Sequence, residues 1–98
     1  MTNAIATTIL EQLGGNRFLT MTGAKGLLDT GRGLQMKLPT ISRASCIVIT
    51  LEADDTYTVQ AYRGRGLNMC AYGEPVSQVY ADSLRRVFED LTGLYTKL

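Results

Sequence analysis

The stretch SCIVITLEADDTYTVQAYR, Ser45 to Arg63, decides the fold. Cys46, Ile47, Val48, Ile49 and Leu51 form a nearly continuous apolar run, rich in the β-branched residues that suit a pleated surface. Such a run predicts a central strand over 45–52, covered on both faces or nearly so. Ala53-Asp54-Asp55-Thr56 follows as a short acidic turn, its carboxylates serving backbone hydrogen bonds. Beyond it Tyr57, Val59 and Ala61 alternate with Thr58, Gln60 and Tyr62, which predicts a return strand over 57–63 and the best hairpin in the chain.

Toward the N-terminus, Leu34, Met36 and Leu38 alternate with Gln35 and Lys37, a strand that Pro39 stops because it has no N–H to donate. Arg17 to Thr22, glycine-flanked and rich in β-favouring residues, predicts a first strand. Gly23-Ala24-Lys25-Gly26 reads as a turn. Leu27 to Gly33 commits to neither strand nor loop; its best reading is a long hairpin connection whose leucine pair dips into the core. Toward the C-terminus, Gly64-Arg65-Gly66 breaks the pattern and Leu67 to Tyr72 predicts a last strand. Met21, Met36 and Met69 fall at inward strand positions and read as core filler.

Helical periodicity brackets these strands. Ile5, Ile9, Leu10 and Leu13 make one apolar stripe over 2–13, with Thr2 or Asn3 as a cap and Gly14-Gly15 as the stop. Gly73-Glu74-Pro75 opens a second helix with the stripe Val76, Tyr80, Leu84, Val87, Phe88 and Leu91, ended by Gly93, after which Leu94 and Tyr95 fold back on the core. Its outer side carries the i,i+4 pairs Asp82–Arg86, Arg85–Glu89 and Arg86–Asp90, which read as a solvated face or, alternatively, a docking face. The expected fold is α+β: an antiparallel meander of about five strands, flanked by an N-terminal and a C-terminal helix packed on one face. All 98 residues, 1–98, form one domain on this reading.

Composition limits the chemistry. There is no histidine, which removes the commonest general base and metal ligand, and no phosphate loop or dinucleotide fingerprint is present. The sequence therefore reads as non-catalytic, with no cofactor and no metal. Cys46 and Cys70 lie in apolar strand-like runs, so two reduced, buried thiols are the plain expectation. A disulfide between them requires neighbouring strands, and a reactive or metal-binding thiol is the remaining case. Ten basic and nine acidic residues give a net charge of +1, which argues mildly against a dedicated nucleic-acid binder. With no signal-like leader and no membrane-length apolar run, the expected location is the cytoplasm, or the host's cytoplasm for a viral protein.

The candidate binding residues come from the arginine–glycine triplets. Arg32 lies between Gly31 and Gly33, and Arg63 and Arg65 bracket Gly64. Glycine lets a backbone approach closely, arginine offers a planar fork for phosphate or carboxylate, and tyrosines such as Tyr62 supply stacking faces. If both loops lie at one end of the sheet, Arg32, Arg63, Arg65 and Lys25 form a small basic patch beside Tyr62. The plainer reading is that the glycines build turns and the arginines keep them soluble.

At Ile9-Leu10-Glu11-Gln12-Leu13-Gly14-Gly15-Asn16-Arg17-Phe18, at Met21-Thr22-Gly23-Ala24-Lys25, and again from Tyr80 to Tyr95, the chain resembles small uncharacterised proteins encoded by bacteriophages and mobile elements. The resemblance spans most of the chain and brings no functional residues with it. It implies action by binding, including as an inhibitor of host defence such as an anti-CRISPR protein. The partner expected is a protein, met through an open sheet face or a sheet edge that can also form a homodimer. The alternative is a nucleic-acid-binding module that uses the arginine–glycine turns and tyrosines.

Overall fold

Two phenylalanines set the helical layer. The computed structural model describes residues 4–39, 43–64 and 70–93. Readings on Thr2, Asn3, Arg65, Leu67, Met69, Leu94 and Tyr95 lie outside the described residues. Helix α1 (Ala4–Leu13) buries Ala6, Ile9 and Leu13 along one stripe. At Gly14 the chain turns and helix resumes as α2 (Gly15–Thr22). This corrects the strand expected over 17–22: Phe18 and Thr22 are buried at a spacing of four, with Thr20 exposed between them. Met21 is accordingly a half-buried helical residue. Tertiary packing overrides the β propensity of this segment. Phe18 meets Phe88 edge-to-face at 4.9 Å, and the Thr22 hydroxyl donates to Phe18 O at 2.8 Å.

The sheet follows as an antiparallel meander: β1 (Lys25–Asp29), β2 (Gly33–Lys37), β3 (Cys46–Leu51), β4 (Tyr57–Arg63) and β5 (Cys70–Ala71) in that spatial order, with β6 (Val76–Val79) also paired to β4. The uncommitted stretch 27–33 thus resolves into strand plus turn. Asp29 accepts the Gly31 N–H at 2.7 Å, and Thr30 N–H donates to Gly33 O. The leucine pair does not dip into the core: Leu27 and Leu28 are 40% and 55% exposed.

β5 and β6 share one side of β4 as an interrupted strand. Tyr62 pairs with Ala71, and Tyr57 and Val59 pair with Val79 and Val76. The break between them is Gly73-Glu74-Pro75, whose Gly73 carbonyl accepts from the Gln60 side chain. Val76 to Val79 is therefore strand rather than the first turn of the last helix, and Tyr80 is exposed instead of buried. A 3₁₀ turn at Ala81–Ser83 leads into α3 (Leu84–Thr92), where Leu84, Phe88 and Thr92 are buried at spacings of four.

The helices cover one face. Leu34, Met36, Ile47, Ile49, Tyr57, Val59 and Ala61 point toward them and are buried with Ile9, Leu13, Phe18, Leu84 and Phe88. β3 occupies the centre of the sheet, as its apolar run requires. Its neighbour β2 approaches very closely at Gly33, where an added Cβ would stand 1.8 Å from the Ile49 carbonyl oxygen. Gly33→Ala should therefore destabilise the protein by about 1–3 kcal/mol or more. Urea denaturation measures this; an unchanged midpoint would contradict the close approach of β2 and β3.

Candidate functional site

Residues directly opposite in a sheet share a face, so the ladder registers map the uncovered side. One row reads Lys37, Cys46, Tyr62, Ala71; the next reads Gln35, Val48, Gln60; a third reads Gly33, Thr50, Thr58. Leu28 stands opposite Gln35 and Lys25 opposite Lys37. The face is mostly polar and half-buried, with Cys46 buried among its neighbours. Two lysines thus sit side by side at one end, with Tyr62 on the same face two strands away.

The expected patch does not assemble. Arg32 lies in the β1–β2 turn, level with Leu51, whereas Arg63 ends β4 level with Cys46. At a strand rise of roughly 3.3 Å per residue the two ends are about 20 Å apart. Arg32 is engaged in holding the fold, since its Nε and Nη2 both donate to Leu51 O at 3.3 Å and its own carbonyl accepts the Leu51 N–H. Arg63 lies over the ring of half-buried Tyr72 at 5.5 Å, a cation–π contact. It alternates with Tyr62, so the two project to opposite faces. Lys25 and Tyr62 share the open face at Arg63's end of the sheet, and Arg65 lies outside the described residues. Arg43, in the β2–β3 connection, is tied to the end of α3: its guanidinium donates to Asp90 O at 3.2 Å and its N–H to Thr92 O at the helix C-terminus.

The acidic turn builds a shallow depression of about 460 Å³ lined by Glu52, Asp54, Thr56, Thr58, Ser77 and Gln78. Its carboxylates are tied down: Thr58 Oγ1 donates to Glu52 Oε2 at 2.6 Å, and Thr56 donates to Asp54 through both Oγ1 (2.6 Å) and N–H (3.2 Å). The Thr56 hydrogen bonds hold Asp54 below its ordinary value of 3.8, so it stays an acceptor rather than an acid. Among the described residues no cluster of three or more His, Cys, Asp or Glu side chains is placed to hold a metal. Also among the described residues, no helix is long and apolar enough to cross a membrane.

The surface that sequence reasoning missed is the β1 edge. Every residue from Lys25 to Asp29 is exposed, and Leu27 and Leu28 border a groove of about 330 Å³ between this edge and α1, lined also by Ala6, Thr7, Leu10, Asp29 and Leu34. Gly26, at φ 64°, kinks the strand and shifts its register between Lys25 and Leu28. That bulge removes the two-residue alternation by which a strand is recognised. The chain matches no family model, no curated protein and no solved structure.

The cysteines differ in environment. Cys46 is buried, and burial raises its thiol's pKa, with nearby Lys37 and a Met36 backbone hydrogen bond opposing; Cys70 is exposed, contrary to the expectation of two buried thiols. β4 lies between their strands, and two strand spacings of about 4.8 Å exceed disulfide reach. Native protein treated with iodoacetamide should therefore be alkylated at Cys70 alone, and at Cys46 only after denaturation, as read by peptide mass spectrometry. Equal labelling of both thiols in the folded state would contradict the burial of Cys46.

Proposed function

We propose that this chain is a non-catalytic binding protein that acts through protein–protein contacts. The observation that carries this reading is the β1 edge. Two large leucines stand exposed side by side on a strand that, among the described residues, pairs on one side only. Exposed backbone edges and adjoining apolar side chains are the elements used in strand-addition recognition. The resemblance to phage and mobile-element proteins supports a bacterial host protein as the target. It also supports inhibition of host defence, as by anti-CRISPR proteins, as the biological role. The folded chain should retain a specific bacterial protein in affinity capture, and Leu27→Asp with Leu28→Asp should release it without changing the circular dichroism spectrum. Identical capture by wild type and variant would sink the β1-edge assignment.

One observation favours a second reading. Lys25 and Lys37 are direct cross-strand neighbours, an arrangement that like-charge repulsion disfavours and an anion relieves. With Tyr62 on the same face, they are the remnant of the basic patch on which nucleic-acid binding depends. On that reading a single-stranded oligonucleotide binds at low salt, weakens as salt rises, and is lost on replacing both lysines with alanine. Absence of low-salt binding in a fluorescence anisotropy titration removes it.

A further inference from the structure

We propose that the Lys25–Lys37 pair on the open face binds a single phosphomonoester group, whether free or at the end of a larger molecule. The proposal rests on the lysine pair that carries the second reading above, and it names a different ligand charge: one terminal phosphate in place of a run of backbone diesters. Lys25 and Lys37 are direct cross-strand partners, both exposed, so two like charges are held side by side. The ladder rows of this face bring them no carboxylate. Their own row continues with Cys46, Tyr62 and Ala71, and the next row holds Leu28, Gln35, Val48 and Gln60. The acids Glu52 and Asp54 lie at the far end of the sheet, where Thr58 and Thr56 hold them.

Gly26 fixes the pair. Its left-handed backbone, φ 64°, belongs to the bulge that sets Lys25 against Lys37. Its missing side chain also makes room for Lys37: an added Cβ would stand 3.2 Å from Lys37 Cδ and 3.4 Å from Lys37 Cγ. The Lys37 stem therefore leans onto β1, next to Lys25, and has lost part of its freedom before any ligand arrives. Half-buried Gln35, two residues before Lys37 on the same face, adds an amide donor.

The number of charges selects the ligand. Two ammonium groups match the charge of roughly −1.5 to −2 that a phosphomonoester carries at neutral pH. A diester offers one charge per unit, and a strand is held by a track of cations that neutralises several units at once. Among the described residues the open face has no such track. Arg63 projects to the other face, over Tyr72, and Arg32 sits at the far end on the Leu51 carbonyl.

Titration with inorganic phosphate at constant ionic strength, followed by heteronuclear NMR, tests this. Amide shifts should saturate and centre on Lys25, Gly26 and Lys37. Lys37→Gln should abolish them yet melt no lower than the wild type, because the substitution removes a like-charge contact. Two oligonucleotides of one sequence separate the sources. The strand ending in a phosphate should bind at least about tenfold tighter than the strand ending in a hydroxyl. Shifts that rise without saturation, or that survive Lys37→Gln, overturn the proposal. Equal binding of the two strands also overturns it and leaves the nucleic-acid reading standing. Saturable phosphate binding with no affinity for the hydroxyl-ended strand supports the proposal and removes that reading.

Discussion

The contact on which the rest of the structure depends is Phe18 against Phe88, rings 4.9 Å apart and steeply inclined. It joins the end of the N-terminal helical pair to the last helix, closing the helical layer over β3 and β4. Both rings are fully buried. Each burial contributes about 1.5–3 kcal/mol, and the edge-to-face geometry adds about 0.5–1.5 kcal/mol. Because all the helices are committed to this one side, the opposite face of the sheet is left to polar and half-buried side chains. The functional question therefore turns on the open face and the edges, not on the core.

Two helix ends are built alike around that contact. Thr22 donates to Phe18 O and Thr92 to Phe88 O, both at 2.8 Å, and Gly23 and Gly93 follow in the left-handed conformation with N–H groups bonded back to Leu19 and Glu89. The sequence holds this likeness in plain view as Phe-x-x-x-Thr-Gly at 18–23 and 88–93. A segment read as a helix end at Gly93 is a warrant for reading one at Gly23. Propensity pointed to a strand over 17–22 because short windows carry little periodic signal and buried threonines look β-like until their hydroxyls find the preceding turn. The converse error at 76–79 has the same root: Val76 and Tyr80 fit a helical spacing by accident, while the ladder with Val59 and Tyr57 decides the matter. Strands β2, β3 and β4 were legible because each alternates or runs apolar for long enough that no second period competes.

The separation of Arg32 from Arg63 was legible too, by parity. In a meander the chain reverses at every strand, so the loop after the first strand and the loop after the fourth lie at opposite ends of the sheet. Any sequential antiparallel order of these strands divides the two arginine–glycine turns, whatever the exact boundaries. What the sequence could not convey was occupation: Arg32 is engaged with the Leu51 carbonyl and Arg63 with the Tyr72 ring. Nor does sequence distance announce that Lys25 and Lys37 become neighbours, because the bulge at Gly26 sets that register.

The two borders of the sheet are treated differently, and that difference gives the β1 edge its meaning. On the far border the strand is cut into β5 and β6 by Gly73-Glu74-Pro75 and kinked again between its pairings with Val59 and Tyr57, where Gln78 is forced to φ 56°. Interruption, proline and a bulge are the means by which sheets discourage further pairing. On the near border a single glycine bulge and Lys25 guard only the start of β1, and among the described residues nothing covers the leucines after them. Leu27 and Leu28, 40% and 55% exposed, form an apolar stretch along that edge with no comparable interruption. The asymmetry therefore supports the proposed reading of the β1 edge as a binding surface.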